Sequence, residues 1–150
     1  MDSAKQLCTF YVGGAYFGIP VAQVQEVVRP QPITPVPLAP PVVRGLINLR
    51  GQILTALDLR RRMGLREAAN QSALMNVVVR TDDAPVSFLV DEIGEVLDVD
   101  EDKFETPPET LQGIMRELIC GVYKLDGKLV LSLSTERTID LGNGLNQSRE

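Results

Sequence analysis

The 150-residue chain contains no histidine and no tryptophan. Without histidine it lacks the side chain that most often serves as a general base near neutral pH, and the commonest nitrogen ligand of zinc. Cysteine is nearly absent: Cys8 and Cys120 have neither C-x-x-C spacing nor a histidine companion. Both sit in apolar surroundings and read as buried free thiols, which suits a reducing compartment. Aromatic residues make up 5 % of the chain, thin material for the walls of a small-molecule pocket or for a base-stacking platform. No apolar run approaches the roughly 20 residues needed to cross a bilayer, and no charged-then-apolar leader opens the chain, so a cytoplasmic protein is expected.

What is present is a 44 % hydrophobic composition with a net charge of −5. That is enough for one domain with a real core, or for two small lobes sharing one. The acidic balance excludes a general nucleic-acid binder, which needs a basic face to displace counterions from phosphates. Arg44, Arg50, Arg60, Arg61, Arg62 and Arg66 cluster in sequence, whereas residues 82–109 are rich in Asp and Glu. This distribution predicts separated surface patches of opposite sign, able to orient protein partners. Asp91 with Glu92, and the alternating Asp98, Asp100 and Asp102, offer paired carboxylates. The glycine of a helix-loop-helix calcium site is missing, so these read as solvated surface. No catalytic residue, metal site or cofactor is expected.

Cys8, Phe10 and Val12 alternate with their neighbours, Gly13-Gly14 supplies a two-residue turn, and Ala15, Phe17 and Ile19 resume the alternation, predicting an N-terminal β-hairpin. Pro20 suits a first helical position, and Val21, Val24, Val27 and Val28 fall on one helical face, so a helix of about two turns is predicted next. Six prolines between Pro30 and Pro41 exclude a helix or central strand and predict an extended surface connection. Strands are expected near residues 42–47 and 53–57, joined by a turn at 50–52. Asp58 then caps a short helix that Gly64 ends. Beyond polar residues 67–72 come Met75, Val77 and Val79, an Asp82-Asp83 turn, and a strand through Val86, Phe88 and Val90.

The chain repeats itself. An offset of 69 residues pairs Ala15 with Ala84, Phe17 with Val86, Val21 with Val90, Val24 with Ile93, Glu26 with Glu95 and Val27 with Val96. An offset of 76 pairs Gly45 with Gly121, Leu46 with Val122, Leu49 with Leu125, Gly51 with Gly127, Ile53 with Leu129 and Leu57 with Leu133. Alternation alone produces some apolar matches, but shared glycines at matched turns are harder to obtain by chance. The expected organisation is one domain over 1–141, with a first repeat at about 7–66, a joint at 67–72, a second repeat at about 73–141, and a flexible tail over 142–150. Strand exchange between the lobes is open. Two copies of about five strands each predict an all-β chain with short helices, folded as two small barrels in a pseudo-twofold arrangement. The turn Leu49-Arg50-Gly51 matches Leu125-Asp126-Gly127, which makes Arg50 special to the first copy.

Tyr16-Phe17-Gly18-Ile19-Pro20, Val24-Gln25-Glu26-Val27, Pro40-Pro41-Val42-Val43-Arg44-Gly45, Ile47-Asn48-Leu49-Arg50-Gly51 and Asp58-Leu59-Arg60 together resemble the CheW family of bacterial chemotaxis coupling proteins. Val90-Asp91-Glu92-Ile93 and Gly121-Val122-Tyr123-Lys124-Leu125 follow in the family's order, so the resemblance runs from about Leu7 to Leu141. It implies two five-stranded SH3-like barrels and an adaptor that does no chemistry. The implied role is to link the cytoplasmic tip of a methyl-accepting chemoreceptor to the regulatory domain of a CheA-type histidine kinase, in chemotaxis or an alternative chemosensory pathway. Such a protein is cytoplasmic and recruited to receptor arrays without inserting into the membrane.

The family's receptor-binding groove maps onto Val24, Glu26, Gly45, Arg50, Ile93 and Val96, and its kinase contacts onto Arg44 and the Pro107-Pro108-Glu109 segment. Against this, Val24, Ile93 and Val96 also fit a plain core role, Gly45 a plain turn, and Arg50 a stabilising ion pair. Two departures stand out: Ile53-Leu54-Thr55-Ala56-Leu57 lacks a common Val-Pro-Val, and Ser87 replaces a frequent glycine. A small-molecule-binding regulatory β-barrel is the alternative function.

Overall fold

The N-terminal hairpin forms where the alternation places it. In the computed structural model, which describes residues 4–141, β1 (Ala4–Val12) pairs antiparallel with β2 (Ala15–Pro20). Gly13 and Gly14 make the turn at φ +59 and +84. Phe10 and Phe17 lie opposite one another on the buried face, their rings 6.0 Å apart.

The next segment departs from the sequence expectation. Only Val21–Gln23 is helical, as a single 3-10 turn, and Val24–Val28 is strand β3. Four β-branched valines at 21, 24, 27 and 28 satisfy a helical periodicity, but their stiff side chains fit a pleated surface better. Pairing with β6 (Met75–Val79) decides the matter.

The remaining elements are β4 (Val43–Leu49), β5 (Gln52–Asp58), α1 (Leu59–Arg62), β7 (Val86–Val90), β8 (Glu92–Asp100), β9 (Phe104–Glu105), α2 (Ile114–Leu118), β10 (Ile119–Leu125), β11 (Lys128–Leu133) and α3 (Thr135–Ile139). Five strands form one sheet in the order β3-β6-β7-β5-β4, and six form the other in the order β8-β1-β2-β11-β10-β9. The sequence repeat matches β3, β6, β7, β5 and β4 with β8, β1, β2, β11 and β10, so the two orders are the same order. The sixth strand is the two-residue β9.

Irregularities repeat as well. A register shift between Val43 and Gly45 is matched by one between Ile119 and Gly121, and β5 runs parallel to β7 as β11 does to β2. Asp58 accepts the Arg61 N–H to cap α1, and Ser134 accepts the Arg137 N–H to cap α3.

The sheets interleave the halves of the chain. The N-terminal hairpin lies with β8–β11, while β6 and β7 lie with β3–β5. The largest core cluster therefore joins the lobes, with Phe10, Phe17 and Ile19 from one sheet meeting Val77, Phe88 and Val90 from the other. Each lobe adds a smaller cluster, around Ile47, Leu54 and Val78 in the first and Leu7, Tyr123 and Val130 in the second.

Cys8 is buried, and burial pushes its thiol pKa up. Cys120, expected to be buried, is exposed. It alternates on β10 with buried Ile119 and Gly121 and so faces out. Among the described residues no helix is long and apolar enough to cross a membrane. The tail expected over 142–150 lies outside the described residues.

In the proline-rich connection Leu38 is fully exposed and has φ +66. This left-handed conformation suits Asn or Gly and costs other residues about 1 kcal/mol. Leu38→Asn is therefore expected to raise stability by about 0.5–1 kcal/mol, read as a higher Tm.

Candidate protein-binding site

Gly45 sits where the first barrel closes. The chain leaving β3 returns over β4, and Thr34 and Leu46 exchange two backbone hydrogen bonds of 2.8 Å. This bridge ties the connection that follows β3, at one edge of the sheet, to β4 at the other. Gly45 has φ +149, and a Cβ there would lie 2.2 Å from the Thr34 carbonyl oxygen. The second lobe repeats the device: a Cβ on Gly121 would lie 2.5 Å from the Glu105 carbonyl oxygen, where β9 pairs with β10. The matched glycines thus permit a close backbone crossing rather than a simple turn.

Arg50 lies at the tip of the β4–β5 hairpin at φ +52, followed by Gly51 at φ +89. Its Nη2 donates to Glu26 Oε2 on β3, and the Arg50 and Glu26 side chains are 67 % and 27 % exposed. Asn48 Oδ1 accepts the Gly51 N–H at 2.8 Å. The corresponding second-lobe residues, Glu95 and Asp126, are both acidic and cannot form such a pair.

The apolar candidates divide. Val24 and Ile93 are half-buried and pack against the core that joins the lobes, whereas Val96 is 59 % exposed. Val27, matched to Val96, is also exposed, as are Ile53 and its counterpart Leu129. Sequence reasoning paired these residues without recognising that they face outward. The signal available was that both pairs fall at equivalent positions of the two copies.

A family model for the CheW-like domain matches residues 6–142. The chain belongs to the CheW-like domain family. It is 34 % identical over 127 residues to the chemotaxis protein CheW of Treponema pallidum, covering 82 % of this chain and 75 % of that protein. It is 30 % identical over 138 residues to the chemotaxis protein CheW of Helicobacter pylori, covering 92 % and 83 %. The fold matches the crystal structure of the scaffolding protein TtCheW from Thermoanaerobacter tengcongensis with a TM-score of 0.83 and 27 % identity, covering 92 % of this chain and 94 % of that one. The double SH3-like barrel of the CheW family is therefore the fold of this chain.

Both departures from the CheW pattern are absorbed locally. Ile53 to Leu57 lie within strand β5. Ser87 is buried and donates to Asn76 Oδ1 at 2.7 Å, while Asn76 donates to the Arg29 carbonyl at 3.0 Å.

The expected basic patch is largely consumed by internal bonds. Arg44 lies 3.9 Å from Asp58 and 3.7 Å from Glu67. Arg61 pairs with Glu67 and donates to the Pro41 carbonyl at 2.8 Å. The Arg61 hydrogen bond, with help from Gln71, holds the Glu67 carboxyl below its usual pKa. Arg62 donates to the carbonyls of Arg137, Thr138 and Asp140 at 2.9–3.0 Å, closing the C-terminal end of α3. Arg44 and Arg61 are thus taken up by Asp58 and Glu67, and Arg62 by backbone carbonyls. Arg50 and Arg66 remain outward, and Glu109 is exposed on the turn before α2.

Arg60 grips Asp91 with two hydrogen bonds of 2.9 and 2.7 Å, and Asp91 also accepts the Gly13 N–H at 2.7 Å. Burial pushes the Asp91 carboxyl up, but the Arg60 and Gly13 hydrogen bonds and the Arg60 charge outweigh it and hold the pKa below the usual range. A depressed folded-state pKa stabilises the fold above the ordinary carboxylate pKa, and this contribution is lost as pH falls through the folded value. Asp91→Asn is expected to cost about 2 kcal/mol at neutral pH. It should also weaken the acid dependence of stability, which thermal unfolding across pH will measure.

An open apolar hollow of about 770 Å³ lies between the proline-rich connection and β5, lined by Val36, Pro40, Leu46, Leu57 and Ile139 among others. Among the described residues Thr55 is the only polar side chain along it. Small-ligand sites carry several convergent polar groups that fix orientation, and this hollow does not. Among the described residues no group of three or more Cys, Asp or Glu is placed to hold a metal ion.

Proposed function

We propose that this chain is a chemotaxis coupling adaptor. It binds the cytoplasmic signalling tip of a chemoreceptor and the regulatory domain of a CheA-type histidine kinase, and it holds them so that a change in the receptor alters kinase activity. The observation that carries this reading is the Glu26–Arg50 pair on the double barrel of the CheW family, present in one lobe and replaced by two acids in the other. A long cation held two-thirds exposed at a hairpin tip is placed to meet another protein.

The receptor surface comprises Val24, Glu26, Gly45, Arg50, Ile93 and Val96. Apolar knobs of a helical hairpin pack on the valines and Ile93, Glu26 and Arg50 set register by charge, and Gly45 keeps the barrel closed beneath them. Arg44 and Glu109 contribute to the kinase side. The protein does no chemistry itself. Its output is geometry, and the coupling free energy comes from contacts that differ between signalling states. It works inside the cell at membrane receptor arrays.

Calorimetric titration against a receptor-tip fragment, and separately against the kinase regulatory domain, tests the proposal. Binding to both supports it. Binding to neither refutes it and turns attention to the small-molecule-binding barrel, which the family relationship does not favour.

A further inference from the structure

We infer that Asn48 is a positioning residue for receptor recognition: its side chain locks the Arg50-Gly51 turn and so sets the Arg50 guanidinium against Glu26. The inference rests on the receptor-binding reading of Arg50. Leu49 pairs with Gln52, leaving Arg50 and Gly51 as a two-residue loop with both φ values positive. Such loops favour Asn-Gly or Gly-Gly, because a left-handed residue carrying a Cβ is disfavoured. The first hairpin obeys this rule with Gly13-Gly14. The β4–β5 turn instead places an arginine in the left-handed region, and among the described non-glycine residues only Leu38 shares that sign of φ.

The conformation therefore has to be held. Asn48 Oδ1 holds it by accepting the Gly51 N–H at 2.8 Å, while Glu26 holds the far end of the same arginine. The matched hairpin of the second lobe lacks each part. Lys124 stands where Asn48 does, offers no acceptor, and pairs with Glu105 at 3.2 Å. Asp126, in place of Arg50, does not take a positive φ. Lock, left-handed arginine and ion pair thus occur together in one lobe and are absent together from the other. Asn48 is exposed, so removing its side chain leaves the core intact.

The test is titration of a receptor-tip fragment into the full chain as wild type, Asn48→Ala, Asn48→Asp, Arg50→Ala and the Asn48→Ala/Arg50→Ala double variant. Asn48→Ala should weaken tip binding about fivefold or more, Asn48→Asp should restore most of it by keeping the acceptor, and the double variant should bind no worse than Arg50→Ala alone. Binding to the kinase regulatory domain should not change. Independently of any ligand, amide exchange at Gly51 should accelerate in Asn48→Ala, and the Arg50 side-chain resonances should shift. Wild-type protein that ignores the tip would overturn the receptor reading itself. Wild-type protein that binds while Asn48→Ala binds equally well, or losses that simply add in the double variant, would overturn this inference alone. Unchanged Gly51 exchange would overturn it in either case.

Discussion

Gly45→Ala should destabilise the chain by about 3 kcal/mol, a large effect for one added methyl group. Two causes add. At φ +149 an L side chain is strained, and its Cβ would stand 2.2 Å from the Thr34 oxygen and 2.8 Å from Ile33 Cγ2. The Thr34 backbone cannot retreat without giving up the two hydrogen bonds to Leu46 that close the barrel. Gly51→Ala supplies the control: at φ +89 it meets nothing within 4 Å, so only the conformational cost of about 1 kcal/mol applies. Gly121→Ala should also be costly, since its Cβ would meet the Phe104 ring at 2.3 Å and the Glu105 oxygen at 2.5 Å. Urea unfolding of the three variants measures the differences. A Gly45→Ala cost no larger than that of Gly51→Ala would show that the Thr34 crossing does not constrain the fold.

Arg50→Glu should weaken receptor-tip binding by about 100-fold or more, in keeping with the several kcal/mol that like charges set against each other at an interface cost. The change removes the cation and sets a second carboxylate against Glu26, so the surface offered to the receptor reverses sign locally. Stability should move little, because a side chain that is 67 % exposed belongs to the class of ion pairs worth about 0–1 kcal/mol. Kinase-domain binding should be unchanged. Calorimetry with both partners, alongside thermal unfolding, separates these effects. Full tip binding by the variant would leave Arg50 with a purely structural role.

These expectations rest on features that differed in how far the sequence revealed them. The first hairpin, the Asp58 cap and the duplication were legible, because period-two alternation, turn glycines and capping residues act over a few neighbours. Val24–Val28 runs against the sequence expectation because valines at 21, 24, 27 and 28 follow the helical period, and within the strand only Val24 and Val28 share a face. The deciding partner, β6, lies about 50 residues further on. The lobe that receives the N-terminal hairpin was illegible for a related reason: both copies carry an equivalent hairpin, so the alignment is the same whichever sheet each joins.

The site shows the same division. Arg50 stood out because its counterpart is Asp126, a comparison within the sequence itself. Glu26 as its partner, Thr34 beneath Gly45 and Asp91 beneath Arg60 are contacts across the fold, which no local pattern encodes. The arginines at 60–62 form a basic run along the chain, but in space Asp91 meets Arg60 and the α3 carbonyls meet Arg62. Apolar neighbours suggest burial for Cys120, but strand alternation with buried Ile119 and Gly121 turns it to solvent.

Coupling requires both partners on one molecule at the same time. The most direct test is sedimentation of the chain mixed with a receptor-tip fragment and the kinase regulatory domain together. A ternary complex containing one of each is expected, with Arg50→Glu losing only the receptor fragment. Two binary complexes that compete for the chain and never coexist on it would contradict the adaptor role.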